Sequence, residues 1–168
     1  MALKRTSSTI TIGASVTETG ANTFTQEQID LQLNPLDNEV FVVQAVNLDL
    51  QSPDGIAATN TQVRGSISST SLTTFGTLSD SNVLAVARDD IRAAGFADGG
   101  VAFSTLPNET PPANLDYIGI ISTNDFFLQV VGIGNAGAKS MAARVYGYRA
   151  KADAATYAAL VQSEVLSA

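Results

Sequence analysis

The chain has 168 residues, 45% of them hydrophobic and 15% charged, with nine Lys and Arg against 16 Asp and Glu for a formal charge of −7. It contains no histidine and no cysteine, which excludes Ser-His-Asp and Cys-His catalysis, the usual zinc sites and any disulfide framework. The acidity speaks against unselective nucleic-acid binding, which needs Lys and Arg to neutralise phosphates, and no apolar run approaches the roughly 20 residues of a membrane-spanning helix.

The opening Met1-Ala2-Leu3-Lys4-Arg5 gives way to Thr6, Ser7, Ser8 and Thr9 with no apolar run, so no signal peptide is expected. Strand signals follow. Ser8 to Glu18 places Ile10, Ile12, Ala14 and Val16 on one face, the period of two of a half-buried strand. After the turn Gly20-Ala21-Asn22, a second segment carries Phe24, Ile29, Leu31 and Leu33. Asn34-Pro35-Leu36-Asp37-Asn38 breaks the chain, and Glu39 to Leu50, the most apolar strand, is expected at the centre of a sheet. Ser52-Pro53-Asp54-Gly55 closes it as a tight turn. Gln62 to Ser71 and Leu72 to Leu78 read as weaker strands rich in Ser and Thr.

Residues 80 to 95 admit two readings. Asp80 or Ser81 as N-cap with Gly95 as stop would make a helix, whereas Val83-Leu84-Ala85-Val86 would make a strand. The expectation adopted is a strand with a short helical turn. Ala97 to Pro112 reads as a loop around Val101-Ala102-Phe103, because Pro107, Pro111 and Pro112 cannot sit in a central ladder. Tyr117 to Ser122, Phe126 to Ile133 and Met141 to Ala150 supply three more strands. From Asp153, a good N-cap, the Ala-rich stretch to Leu166 carries Tyr157, Leu160 and Val161 near helical spacing. The sum is one all-β domain over 1–168: a two-sheet antiparallel sandwich of about eight strands with one C-terminal α-helix at about 153–167.

Gly132-Ile-Gly134-Asn-Ala-Gly137 has the form of a dinucleotide-binding loop. No alternation of strand and helix precedes it and too little chain follows, so a Gly-rich hairpin loop is expected instead. Asp89, Asp90 and Asp98 are the candidate ligands for a hard cation such as Ca²⁺, although no EF-hand spacing surrounds them and a solvated acidic turn is the plainer reading. Lys139, Arg144, Arg149 and Lys151 form a basic run, read as the solvated face of a strand and not as an anion-binding strip. Asn108-Glu109-Thr110 is a glycosylation sequon in form, discounted because Pro111 follows it. No catalytic residue and no resident cofactor is expected, and the chain is read as not an enzyme. The helix offers the candidate subunit contacts Tyr157, Leu160, Val161, Val165 and Leu166. Packing within the chain is favoured for the first two, and contact with a neighbouring copy is as good a reading for the last two.

The strand series from residue 8, the passage GTLSDSNVLAVARDD, and the closing FFLQVVGIGNAG and AARVYGYRAK followed by DAATYAALVQSE together resemble the single jelly-roll capsid proteins of icosahedral viruses. That resemblance implies an eight-stranded jelly roll built with copies of itself into pentamers or hexamers of a shell, with a second capsid protein as a further partner. It implies a virion location after synthesis in the host cytoplasm. The basic N-terminal arm of RNA-packaging members is absent here beyond Lys4 and Arg5, so no direct nucleic-acid contact is expected. Two rivals stand beside this reading: a carbohydrate- or receptor-binding β-sandwich of a phage or virion appendage (or a capsid decoration protein), and a carboxylate-dependent glycan-active enzyme. The scattered acids and absent Trp disfavour the enzyme.

Overall fold

The computed structural model describes residues 3–105 and 115–168. Ten strands run in chain order: β1 (Leu3–Arg5), β2 (Ile10–Thr17), β3 (Thr25–Asp30), β4 (Glu39–Leu50), β5 (Thr61–Ser68), β6 (Val83–Arg92), β7 (Val101–Thr105), β8 (Gly119–Ile121), β9 (Asp125–Ile133) and β10 (Ser140–Ala152). The helix α1 (Ala154–Leu166) follows β10 directly. Four antiparallel pairings nest inside one another: β2 with β10, β3 with β9, β4 with β8, and β5 with β6. One long hairpin has thus been wound into two stacked sheets. The first sheet runs β1-β10-β4-β8, with β2 on the same edge of β10 as β1, and the second runs β3-β9-β5-β6-β7. This is jelly-roll topology, an all-β two-sheet sandwich with one C-terminal helix. The short β1 and β7 are additions to the eight nested strands.

The core lies between the sheets. It holds Val16 of β2, Phe41, Val43, Val46, Leu48 and Leu50 of β4, Val63 and Ile67 of β5, Phe126, Leu128 and Val130 of β9, and Met141, Ala143 and Val145 of β10. In β4 the inward residues change from odd to even numbers, and a bulge explains it. Tyr146 faces Ala45 and Gly147 faces Val43, so Gln44 is one residue too many for its partner strand. Val40 and Val42, on the opposite face of β4, are also fully buried, with Ala150, beneath Tyr148, Tyr157 and Leu160. The continuous apolar run of β4 thus reflects burial on both faces, by the opposite sheet and by α1.

Four elements depart from the sequence reading. Leu72 to Leu78 is not a strand; residues 69–82 form a loop folded over the outer face of β5, β9 and β3. Its Leu72 N–H donates to Gln26 Oε1 at 2.8 Å. Beneath it, Gln129 accepts from Ser66 Oγ (2.8 Å) and donates to Ser68 Oγ (2.7 Å) and Gln26 Oε1 (3.0 Å), a buried network on the outer face of β5 and β9 that the loop covers. Residues 83–92 are strand throughout, and the expected helical turn shrinks to one hydrogen bond from Phe96 N–H to Ala93 O (3.0 Å). Val101–Thr105, read as loop, pairs with β6 as an exposed edge strand. Gly132 to Gly137 is not a hairpin, because β9 and β10 belong to different sheets. The prolines at 107, 111 and 112 and the sequon at 108–110 lie outside the described residues.

A Cβ at Gly147 would meet the Val42 carbonyl oxygen and the Phe41 ring. The obstruction includes backbone of the partner strand, which cannot rotate away. Gly147→Ala is therefore expected to cost about 2 kcal/mol or more and to lower Tm by about 5 °C or more. Gly13→Ala, where nothing lies within 4 Å, should stay within about 0.5 kcal/mol. Thermal and urea melts of both variants check the contrast.

Candidate functional site

Asp153 caps α1 as expected: its Oδ1 accepts from Thr156 N–H at 2.8 Å. The helix then lays Tyr157 and Leu160 on the outer face of the first sheet. Val161 lines a groove of about 320 Å³ with Tyr157, Leu33, Pro35, Ser122 and Asn124. At the next inward position stands a carboxylate. Glu164 is 8% exposed, and it accepts from Ser122 N–H (2.8 Å), Thr123 N–H (3.1 Å), Thr123 Oγ1 (2.8 Å) and the Ser122 hydroxyl. One side chain thereby satisfies the turn between β8 and β9, and charge-assisted bonds of this kind are roughly twice as strong as neutral ones. Sequence reasoning passed over Glu164. The available signal was an acid on the apolar stripe of a helix, four residues after Leu160.

Val165 and Leu166 are 58% and 77% exposed. The structure separates the five candidate contacts: Tyr157, Leu160 and Val161 pack partly within the chain, and Val165 and Leu166 face outward beside it. Leu36, in the 3-10 turn Pro35–Asp37, is a further fully outward apolar side chain.

The opposite end of the sandwich is tied by polar side chains. Glu18 Oε1 accepts from Gly132 N–H (2.6 Å) and its Oε2 from Lys139 N–H (2.8 Å), joining the β2 end to the β9–β10 crossover. Asn22 and Asn135 exchange hydrogen bonds, with both distances 2.8 Å. Asn135 also donates to Gln62 O and accepts from Asp54 N–H. Asp54 in turn accepts from Ala136 and Gly137 N–H and pairs with the buried Lys139 Nζ at 2.5 Å. The glycine motif is thus a crossover that wraps a protein carboxylate: Gly134 turns the chain at φ +70° against the Asn60 carbonyl.

The expected basic run is dispersed. Lys139 pairs with Asp54, Arg149 with Glu39 (3.0 Å) and Lys151 with Asp37 (2.8 Å), while Arg144 lies exposed on the outer face of the first sheet. The candidate cation ligands do not converge either. Asp89 and Asp90 are neighbours on β6 and leave opposite faces of it. Asp89 accepts from Ser104 Oγ (2.6 Å), Asp90 pairs with Arg88 (2.9 Å), and Asp98 is exposed beyond the strand. Among the described residues no three acidic side chains come together as a metal site, and no helix is long and apolar enough to cross a membrane. No protein-family model matches the chain, and no curated protein matches it in sequence.

Removing the Glu164 carboxylate strands two backbone N–H groups. Glu164→Ala is expected to destabilise by about 2–3 kcal/mol and to speed hydrogen exchange across 154–166 ahead of β4 and β10. Denaturant melts and exchange mass spectrometry read both.

The carboxyls of Asp54, Asp37 and Asp153 are held below their ordinary value of 3.8. The leading causes are hydrogen bonds from Lys139, from Lys151 and from the Thr156 N–H respectively. Groups depressed in the folded state stabilise it fully above about pH 4, and that contribution fades as pH falls through their folded values. Tm should therefore drop below about pH 4, and Lys139→Met should make that acid limb shallower.

Proposed function

We propose that this protein is a structural, non-catalytic subunit that assembles with copies of itself, as a capsid shell protein forming pentameric or hexameric capsomers. The observation that carries this reading is the nested pairing of eight strands into a jelly roll closed by a C-terminal helix, the architecture that the resemblance to single jelly-roll capsid proteins implies. A surface rich in Ser, Thr, Asn and Gln supports it, because neutral groups cost less to bury between subunits than ions do. The outward Val165 and Leu166, with Leu36 on a neighbouring turn, supply apolar anchors beside the groove along α1. On this reading the protein works in a virion and has other shell proteins as its partners.

Light scattering with negative-stain imaging of the purified protein, across salt and calcium concentrations, tests the proposal. Closed shells or discrete rings of five or six are expected. Leu166→Asp should reduce assembly strongly while leaving the monomer's Tm within about 1 °C, since the side chain is already in solvent. A strictly monomeric species under every condition overturns the reading and moves attention to glycan and receptor screens.

A further inference from the structure

The outer face of the second sheet carries an arrangement that neither the fold nor the assembly reading uses. Arg64 of β5 and Arg88 of β6 are cross-strand partners. Like charges placed directly opposite destabilise a sheet. Arg92 follows on the same face of β6, and one carboxylate, Asp90, stands among the three guanidiniums. Asp90 is 5% exposed and fully engaged: Oδ2 pairs with Arg88 Nε at 2.9 Å, and Oδ1 accepts from Gln62 Nε2 with Arg92 Nη2 at 3.9 Å. Gln62, its register partner on β5, passes the chain on by accepting from Arg64 Nε. The Arg64 guanidinium lies 5.7 Å from the centroid of the Phe75 ring, which further limits its movement.

Three cations around one buried anion leave two positive charges in excess, in a chain whose total is −7. Arg64, Asp90 and Arg92 border a cleft of about 160 Å³ with Asn60, Gln62 and Ile133. The side chains of Arg88 and Arg92 are half exposed, so donors remain turned to solvent. Guanidinium forks suit oxyanions, and a charge excess of two suits a dianion. We propose that this corner of the β5–β6 face is a binding site for a phosphate dianion. Arg64 and Arg92, which border the cleft, donate to the phosphate oxygens. Asp90 and Gln62 act as positioning residues that hold the guanidiniums apart and oriented, and Arg88, paired with Asp90 beside the cleft, adds positive charge. The acidic remainder of the molecule repels anions in general, so binding here depends on local donors and discriminates between anions of equal ionic strength.

The test is calorimetry and thermal melting at pH 7.5 with inorganic phosphate, glycerol phosphate, acetate and chloride at matched ionic strength. Phosphate is expected to bind and to raise Tm, with Arg92→Ala and Arg64→Ala each weakening it about tenfold or more. Arg88→Lys should retain part of the binding, and Arg144→Ala, on the other sheet, should leave it unchanged. Glycerol phosphate binding as well as phosphate supports a site open to a phosphomonoester of a larger molecule; binding by phosphate alone supports a site for the free ion. Chloride or acetate acting as strongly as phosphate overturns the proposal. So does an Arg144→Ala loss equal to that of Arg92→Ala, or a wild-type protein that shows no phosphate binding. Arg92→Ala leaves the Arg88–Asp90 pair in place, so its fold is readable from the melt itself. Each outcome is independent of whether the protein assembles.

Discussion

The pairing of β10 with both β4 and the β1–β2 edge is the interaction on which the rest of the molecule rests. One face of β10 gives Met141, Ala143 and Val145 to the core between the sheets, and the other gives Tyr148 and Ala150 to the floor under α1. Its close approach to β4 at Gly147 leaves no room for a side chain. The bulge at Gln44 keeps both halves of β4 facing the core across that point. Because α1 leaves β10 after a single capping residue, the position of the helix is dictated by the end of this strand.

Around that axis the sandwich is closed by polar ties at its ends. Strand pairing alone leaves loops from different sheets unconnected, since their backbones point past one another. Glu18, Asn22, Asp54 and Asn135 join them at one end. At the other, Glu164 joins α1 to the β8–β9 turn, and Asn124 Oδ1 accepts from Leu33 N–H at 2.6 Å. Several of the donors are backbone N–H groups that would otherwise be buried without partners. Many of the few charges of the chain are used in this way, paired internally or spent on turns, whereas the Arg64–Arg88–Arg92 corner gathers three cations around one carboxylate.

Much of the architecture was legible in the residues, and the reasons are local. β2 alternates because one face meets the core and the other meets water. Residues 39–50 and the Asp153-capped helix have boundaries that turn residues and a cap announce. The failures share a different cause. Leu72 to Leu78 has the composition of a strand, but its Leu72 N–H goes to the side chain of Gln26, distant in the chain, and not to a ladder partner. Val101–Thr105 carries little burial of its own and is strand because β6 offers an edge. The sheet membership of β9 and β10, which decides that the glycine crossover is no hairpin, is a property of the winding and of no single segment. Glu164 was invisible for the same reason, since its partners Ser122 and Thr123 are some forty residues away.

The nested winding also orders events in time. Thr6 reaches Arg149 across a separation of 143 residues, and the same outermost pairing leaves β2 without its ladder until β10 has been made. During synthesis the edges of β2 and β4 that β10 will occupy stay bare, and the apolar face of β4 with Val40 and Val42 stays wet. A fold dominated by such distant pairings closes slowly compared with one built from neighbours. Its β5–β6 hairpin can form early, whereas the first sheet closes only when the last strand arrives. The helix that follows that strand needs no further partner to form its own hydrogen bonds, so it can settle over Val40 and Val42 as soon as β10 is in place. The apolar outer face of β4 is therefore covered by an element made only after β10.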